Sequence, residues 1–195
     1  MVSKTRPKDT KLVFLPEDLV EKLKEISIRK GTSITLYAAE AIEQALRMEQ
    51  LNAPIHEAVD IYQQHLISRG SGAVQIPRSQ LNELVSETYQ MDKETLGVNW
   101  RQSGSWYGEY LRARMGEEAL NYLRDSLQVS WNLDEVNIQS DGLTVQIHFT
   151  SFAYTEALTH LLVYYIDGVM ESLGFQNVEK EYLRGLSSLK YSKKK

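Results

Sequence analysis

The chain has no cysteine, which excludes disulfides and thiolate metal sites and suits a reducing compartment. Proline is scarce, at four residues in 195, so long helices are permitted over most of the length. Apolar runs are short as well. The longest, around Leu161–Met170, is interrupted by Asp167 and falls below the span of a bilayer. The first residues carry no apolar leader segment, and a cytoplasmic location is expected. Catalytic patterns are missing too. His56, His65, His148 and His160 form no His-x-x-x-His or His-Glu-x-x-His spacing, and there is neither a glycine-rich phosphate loop nor a Gly-x-Ser-x-Gly elbow. The carboxylate pairs Glu17/Asp18 and Glu117/Glu118 read as solvated helix surface. The expectation is a protein that is not an enzyme and uses no cofactor or metal.

What is present is a charge pattern. Net charge is −4, which argues against coating nucleic acid by bulk attraction. Yet Lys4, Arg6, Lys8 and Lys11 face only Asp9 in the first eleven residues. A basic arm ahead of a nearly neutral segment suits local phosphate contact; a solvated terminus is the other reading.

Thr10–Leu15 reads as a short strand stopped by Pro16. Pro16 suits a helix start, and Glu17 and Asp18 put negative charge on its first turn. Leu19, Leu23 and Ile26 recur at helical spacing until Gly31. Ser33 or Thr35 caps a second helix, with Leu36, Ala39, Ile42, Ala45 and Leu46 along one side. A strand and two helices in some forty residues bury too little surface alone. The single strand also leaves its ladder unmade, which calls for a partner chain.

The order strand, Pro16, helix, Gly31-x-Ser33-x-Thr35, helix resembles the ribbon-helix-helix family of Arc, MetJ and CopG over residues 8–48. That resemblance implies an intertwined homodimer whose two-stranded ribbon enters the major groove of double-stranded DNA. Position by position it makes Val13 and Leu15 inward, and Thr10, Leu12 and Phe14 outward and base-facing. Lys8, Lys11 and Lys30, with Ser33 and Thr35 at a helix N-terminus, become the phosphate anchors. Leu12 and Phe14 depart from the polar face that base reading favours. Those two side chains offer only apolar contact, for example to thymine methyls, and the ribbon face is open to three readings: readout that leans on Thr10, the basic arm and phosphate anchoring; cover by another part of the protein; or dimerisation alone.

Beyond residue 52 the pattern changes. A helix is expected over Ala53–Arg69, then a linker at Arg69–Gly72, an extended piece at Ala73–Ile76 and a helix opened by Pro77. Residues 90–104 are polar and yield no clear element. Helical spacing resumes from Ser105 to Leu127 with a break at Gly116. Trp106, Tyr107 and Tyr110 suggest core packing ahead of a pocket wall. Strands Val129–Ile138 and Leu143–Phe149 flank Ser140-Asp141-Gly142, a hairpin signal. A long helix follows over Tyr154–Leu173, then strands Val178–Tyr182 and Leu186–Tyr191.

The fold class expected is α+β: a ribbon-helix-helix module over residues 1–52, and over 53–195 a domain of helices on an antiparallel four-stranded sheet. By element order the second part weakly resembles the 4-vinyl reductase ligand-binding domains over residues 75–191. That resemblance implies a small hydrophobic ligand. It stops short of a thiolate site, because Gly185–Tyr191 holds no cysteine. The function expected is a homodimeric DNA-binding transcription regulator with a sensory or oligomerisation domain, open to further pairing into tetramers. The alternatives are an interaction protein that uses the ribbon module only to dimerise, and an antitoxin-like protein.

Overall fold

The computed structural model describes residues 11 and 13–194. The chain divides into two compact units, Met1–Val59 and Asp60–Lys195. In the first, helix α1 (Glu17–Lys30) starts behind Pro16 with two acidic residues in its first turn and Arg29 and Lys30 in its last. Both sets complement the helix dipole. Gly31 ends it at φ 66°, a left-handed cap whose N–H returns to Ile28 and Ser27 carbonyls. Helix α2 (Ile34–Gln50) begins at Ser33, whose hydroxyl accepts the Leu36 N–H at 3.1 Å. Lys11 and Val13–Pro16 are neither helix nor strand. Thr10 and Leu12 of the expected strand lie outside the described residues. A ribbon that draws its second strand from another chain has no ladder to form within one.

Helix α3 (Ile55–Gly70) begins in the first unit and ends in the second. Residues 73–76, expected as an extended piece, are neither helix nor strand and pair with no neighbour in the sheet. Helix α4 (Arg78–Met91) follows Pro77, and Asp92 then caps α5 (Lys93–Met115) by accepting the Thr95 N–H at 3.0 Å. The polar stretch 90–104 is therefore largely helical. Its two glycines and exposed polar side chains hid the period that Gly97 and Gly104 keep toward α7. Gly116 breaks the helix; a 3-10 turn (Gly116–Glu118), α6 (Ala119–Asp125) and a π-helical turn (Ser126–Ser130) come next. Val129 thus belongs to a helical turn, and the expected first strand shortens to β1 (Glu135–Ser140).

Strand β2 (Thr144–Thr150) returns through a hairpin in which Asp141 Oδ1 accepts the Leu143 and Thr144 N–H groups at 2.9 and 2.6 Å. Gly142 takes φ 86° there, a turn conformation that needs no Cβ. Helix α7 (Glu156–Ser172) leads to β3 (Phe175–Leu183) and β4 (Leu186–Lys193). The sheet is antiparallel in the order β1-β2-β4-β3, so the last strand made sits between β2 and β3. Val145, Ile147 and Phe149 of β2, with Leu189 and Tyr191 of β4, line its buried face. The other face carries Asn137, Gln146, His148, Ser188 and Glu181 in register.

Helix α7 is buried almost all round, against the sheet and against α5. Glycines permit the second contact. A Cβ on Gly104 would strike the Tyr165 carbonyl, and one on Gly168 the Arg101 carbonyl. Here the two backbones touch, and no side chain larger than hydrogen fits. Among the described residues no helix is long and apolar enough to cross a membrane.

Candidate nucleic-acid interface

Of the residues singled out for DNA contact, Lys8, Thr10 and Leu12 lie outside the described residues. The other five are all exposed: Lys11, Phe14, Lys30, Ser33 and Thr35. Lys30, Ser33 and Thr35 gather at the α1–α2 turn. Because Ser33 occupies the Leu36 N–H, the Ile34 and Thr35 N–H groups remain at the open first turn of α2, where a helix presents donors to an anion. The Lys30 ammonium sits 4.8 Å from the Tyr37 ring centre, which steadies the charge beside that turn. Tyr37 was not singled out from the sequence. The seven-residue step from Lys30 to Tyr37 across a helix break gives no periodic signal.

Phe14 is 89% exposed. It offers an aromatic face and no hydrogen-bonding group. The rest of the first unit is just as bare. Ser27, whose hydroxyl donates to the Leu23 carbonyl at 2.6 Å, is its only buried residue among those described. Leu36, Ile42 and Leu46, the stripe along α2, are all more than half exposed.

The second unit holds a different kind of cluster. His160 of α7, 6% exposed, shares a 2.5 Å hydrogen bond with the Tyr89 hydroxyl of α4. It stacks on Tyr182 of β3 and meets Tyr164 edge-on. Burial pushes its imidazole below the usual histidine range, and the positive charges of Lys93 and Lys180 push the same way against Glu156. Two turns further along α7, Asp167 is 6% exposed. It accepts from Lys180 Nζ at 2.5 Å and from the Tyr191 hydroxyl at 2.8 Å. Burial, then the Asp167 charge, pushes the Tyr191 phenol far up, so it stays a donor. These groups tie α4, α7, β3 and β4 together.

No protein-family model, curated protein or solved structure matches the chain at a significant level.

Two open depressions lie in the second unit. One, about 330 Å³, is lined by polar and charged groups including Asp60, Glu118 and Arg124. The other, about 720 Å³, lies between Leu143, Thr144, Gln176 and Ser192 beside Lys193 and Lys194. Among the described residues no three His, Asp or Glu side chains are placed to hold a metal ion. Of the aromatic trio read as core, Tyr107 is buried and Tyr110 half-buried, whereas Trp106 is 59% exposed. Its indole N–H donates to the Ser71 carbonyl at 3.2 Å, so it is held at the surface by its polar edge. The Tyr89–His160 pair was invisible in sequence because its partners stand 71 positions apart.

Proposed function

We propose that this chain is a homodimeric DNA-binding transcription regulator of the ribbon-helix-helix type, with the C-terminal α+β unit acting as its sensory or oligomerisation module. One observation carries the reading. The two N-terminal helices are well capped and amphipathic, yet not one described apolar side chain of that unit is buried. Helices of 14 and 17 residues are marginal in water without a packed face. A second chain supplies that face, and the same pairing supplies the missing strand for residues 10–15. The basic arm, Lys30 and the open first turn of α2 then anchor phosphates, and Thr10, Leu12 and Phe14 face the bases.

A second reading has its own support. An outward face built on Phe14 and Leu12 offers no hydrogen bond to a base edge, and this favours a module retained for dimerisation alone. A mobility-shift series across salt concentration separates the two. The regulator reading expects duplex binding whose affinity falls steadily with salt. Lys11→Ala with Lys30→Ala removes four lysines from the dimer and lowers the logarithmic slope by roughly four if each neutralises one phosphate. Absence of binding to any genomic duplex at low salt leaves dimerisation alone.

A further inference from the structure

Helix α3 has two opposed faces, and only one is used. Gln64 and Ile67 are buried, and the Gln64 amide donates to the Tyr122 carbonyl at 3.3 Å. Gln63 accepts from the Tyr122 hydroxyl at 2.6 Å. The helix is therefore fastened along that side. On another side Ile55, Val59, Tyr62 and Leu66 stand 48%, 53%, 62% and 47% exposed. Their spacing of four, three and four residues is the alternating step of a heptad, the pattern of a helix that packs along a second helix. The positions flanking the stripe are His56, Ala58, Gln63 and His65. None is Lys, Arg, Asp or Glu, so two copies laid together oppose no fixed like charges.

From this we infer that α3 pairs in parallel with α3 of a second copy of this chain, along the seam Ile55–Val59–Tyr62–Leu66. The inference rests on the two-chain reading of the N-terminal unit. Four side chains about half exposed offer on the order of 300 Å² per chain, well short of the roughly 800 Å² a side that a stable pair of proteins buries. That is too little to capture a foreign protein, and enough to extend a pairing made elsewhere. Direction follows from the covalent connection. Residues 51–54 join α2 to α3, a reach of at most about 14 Å. Both copies of α3 thus start from the same two-chain unit, which brings their N-terminal ends together and makes the pairing parallel. The seam would couple the C-terminal units of the two chains to the register of their N-terminal helices.

The absence of cysteine makes the test direct. Val59→Cys and Leu66→Cys, each in the full chain, place one thiol on the seam, and Glu57→Cys places one on the opposite side of the same helix. Mild oxidation followed by non-reducing electrophoresis reads the rate of covalent pairing, and sedimentation of the unsubstituted chain reads its mass. The expected result is a dimer in which both seam variants cross-link at least tenfold faster than Glu57→Cys. A dimer whose seam variants cross-link no faster than the control overturns the seam and leaves the two-chain unit standing. A monomeric chain overturns both.

Discussion

The two units solve the problem of burying apolar surface in opposite ways. In the second, Leu111, Leu123, Leu127, Ile147, Phe149, Leu158, Leu161, Leu162, Ile166 and Met170 are all closed to solvent within one chain. In the first, the described apolar side chains remain half-buried or exposed, although the helices carrying them are better capped than α4 or α6. Local signals and core formation are thus separable. Caps fix where a helix starts and stops at about 1 kcal/mol each, whereas the packed face that stabilises it has to come from elsewhere.

The sharpest way to break this contrast is to place a charge on the bare stripe. On the proposed two-chain reading, Ile42→Glu puts two carboxylates at a symmetric interface, at a cost on the order of 4 kcal/mol. Sedimentation should show the dimer dissociation constant raised by about three orders of magnitude, with the unfolding of the second unit unchanged. An unaltered dimer would show that the stripe is ordinary surface.

Next in size comes the α5–α7 crossing. Gly168→Ala forces a methyl group onto the Arg101 carbonyl and should lower the urea stability of the second unit by roughly 3 kcal/mol, without moving the dimer constant. Lys180→Met should cost about 2 kcal/mol. It leaves the buried Asp167 carboxylate with only the Tyr191 hydroxyl, and the figure is reduced from that of a sealed pair because the lysine is 31% exposed.

The smallest effect is on pH dependence. His160 is held neutral by burial and by the nearby lysines. Its folded pKa lies below the unfolded value near 6.5, so its contribution is fully present above that value. The contribution declines as pH falls from there toward the folded pKa, because the unfolded chain takes up the proton first. Thermal melts between pH 7 and 5 should show this acid-side decline in the second unit, and His160→Phe should flatten it. An equal decline in the variant would assign the effect to other groups.

Much of the fold was legible where chemistry acts locally. Pro16, Gly31 and Ser33 mark the ends of α1 and α2, Asp141-Gly142 marks the hairpin, and the stripe from Leu158 to Met170 marks α7. The features missed depend on neighbours distant in sequence. Residues 93–104 read as polar because the glycines that meet α7 look like helix breakers until their partner is known. Val129 has the composition of a strand residue, but the chain closes a helical turn through it before β1 begins. Among the candidate site residues, the α1–α2 turn was legible from Gly31, Lys30, Ser33 and Thr35. The Tyr89–His160 and Asp167–Lys180–Tyr191 links were not, since each joins separate elements across the core.

The strand order has a consequence in time. β4 lies between β2 and β3, yet it leaves the ribosome after both. Until then β2 and β3 have no shared neighbour, and the inner face of α7 lacks Leu189 and Tyr191. A nascent chain therefore carries the whole of its two N-terminal helices while its C-terminal unit is still waiting for its central strand. On the proposed two-chain reading, assembly between chains can begin before folding within the chain is complete; an interruption of synthesis ahead of Leu186 should in any case yield a chain exposing the edges and inner face of an unclosed sheet.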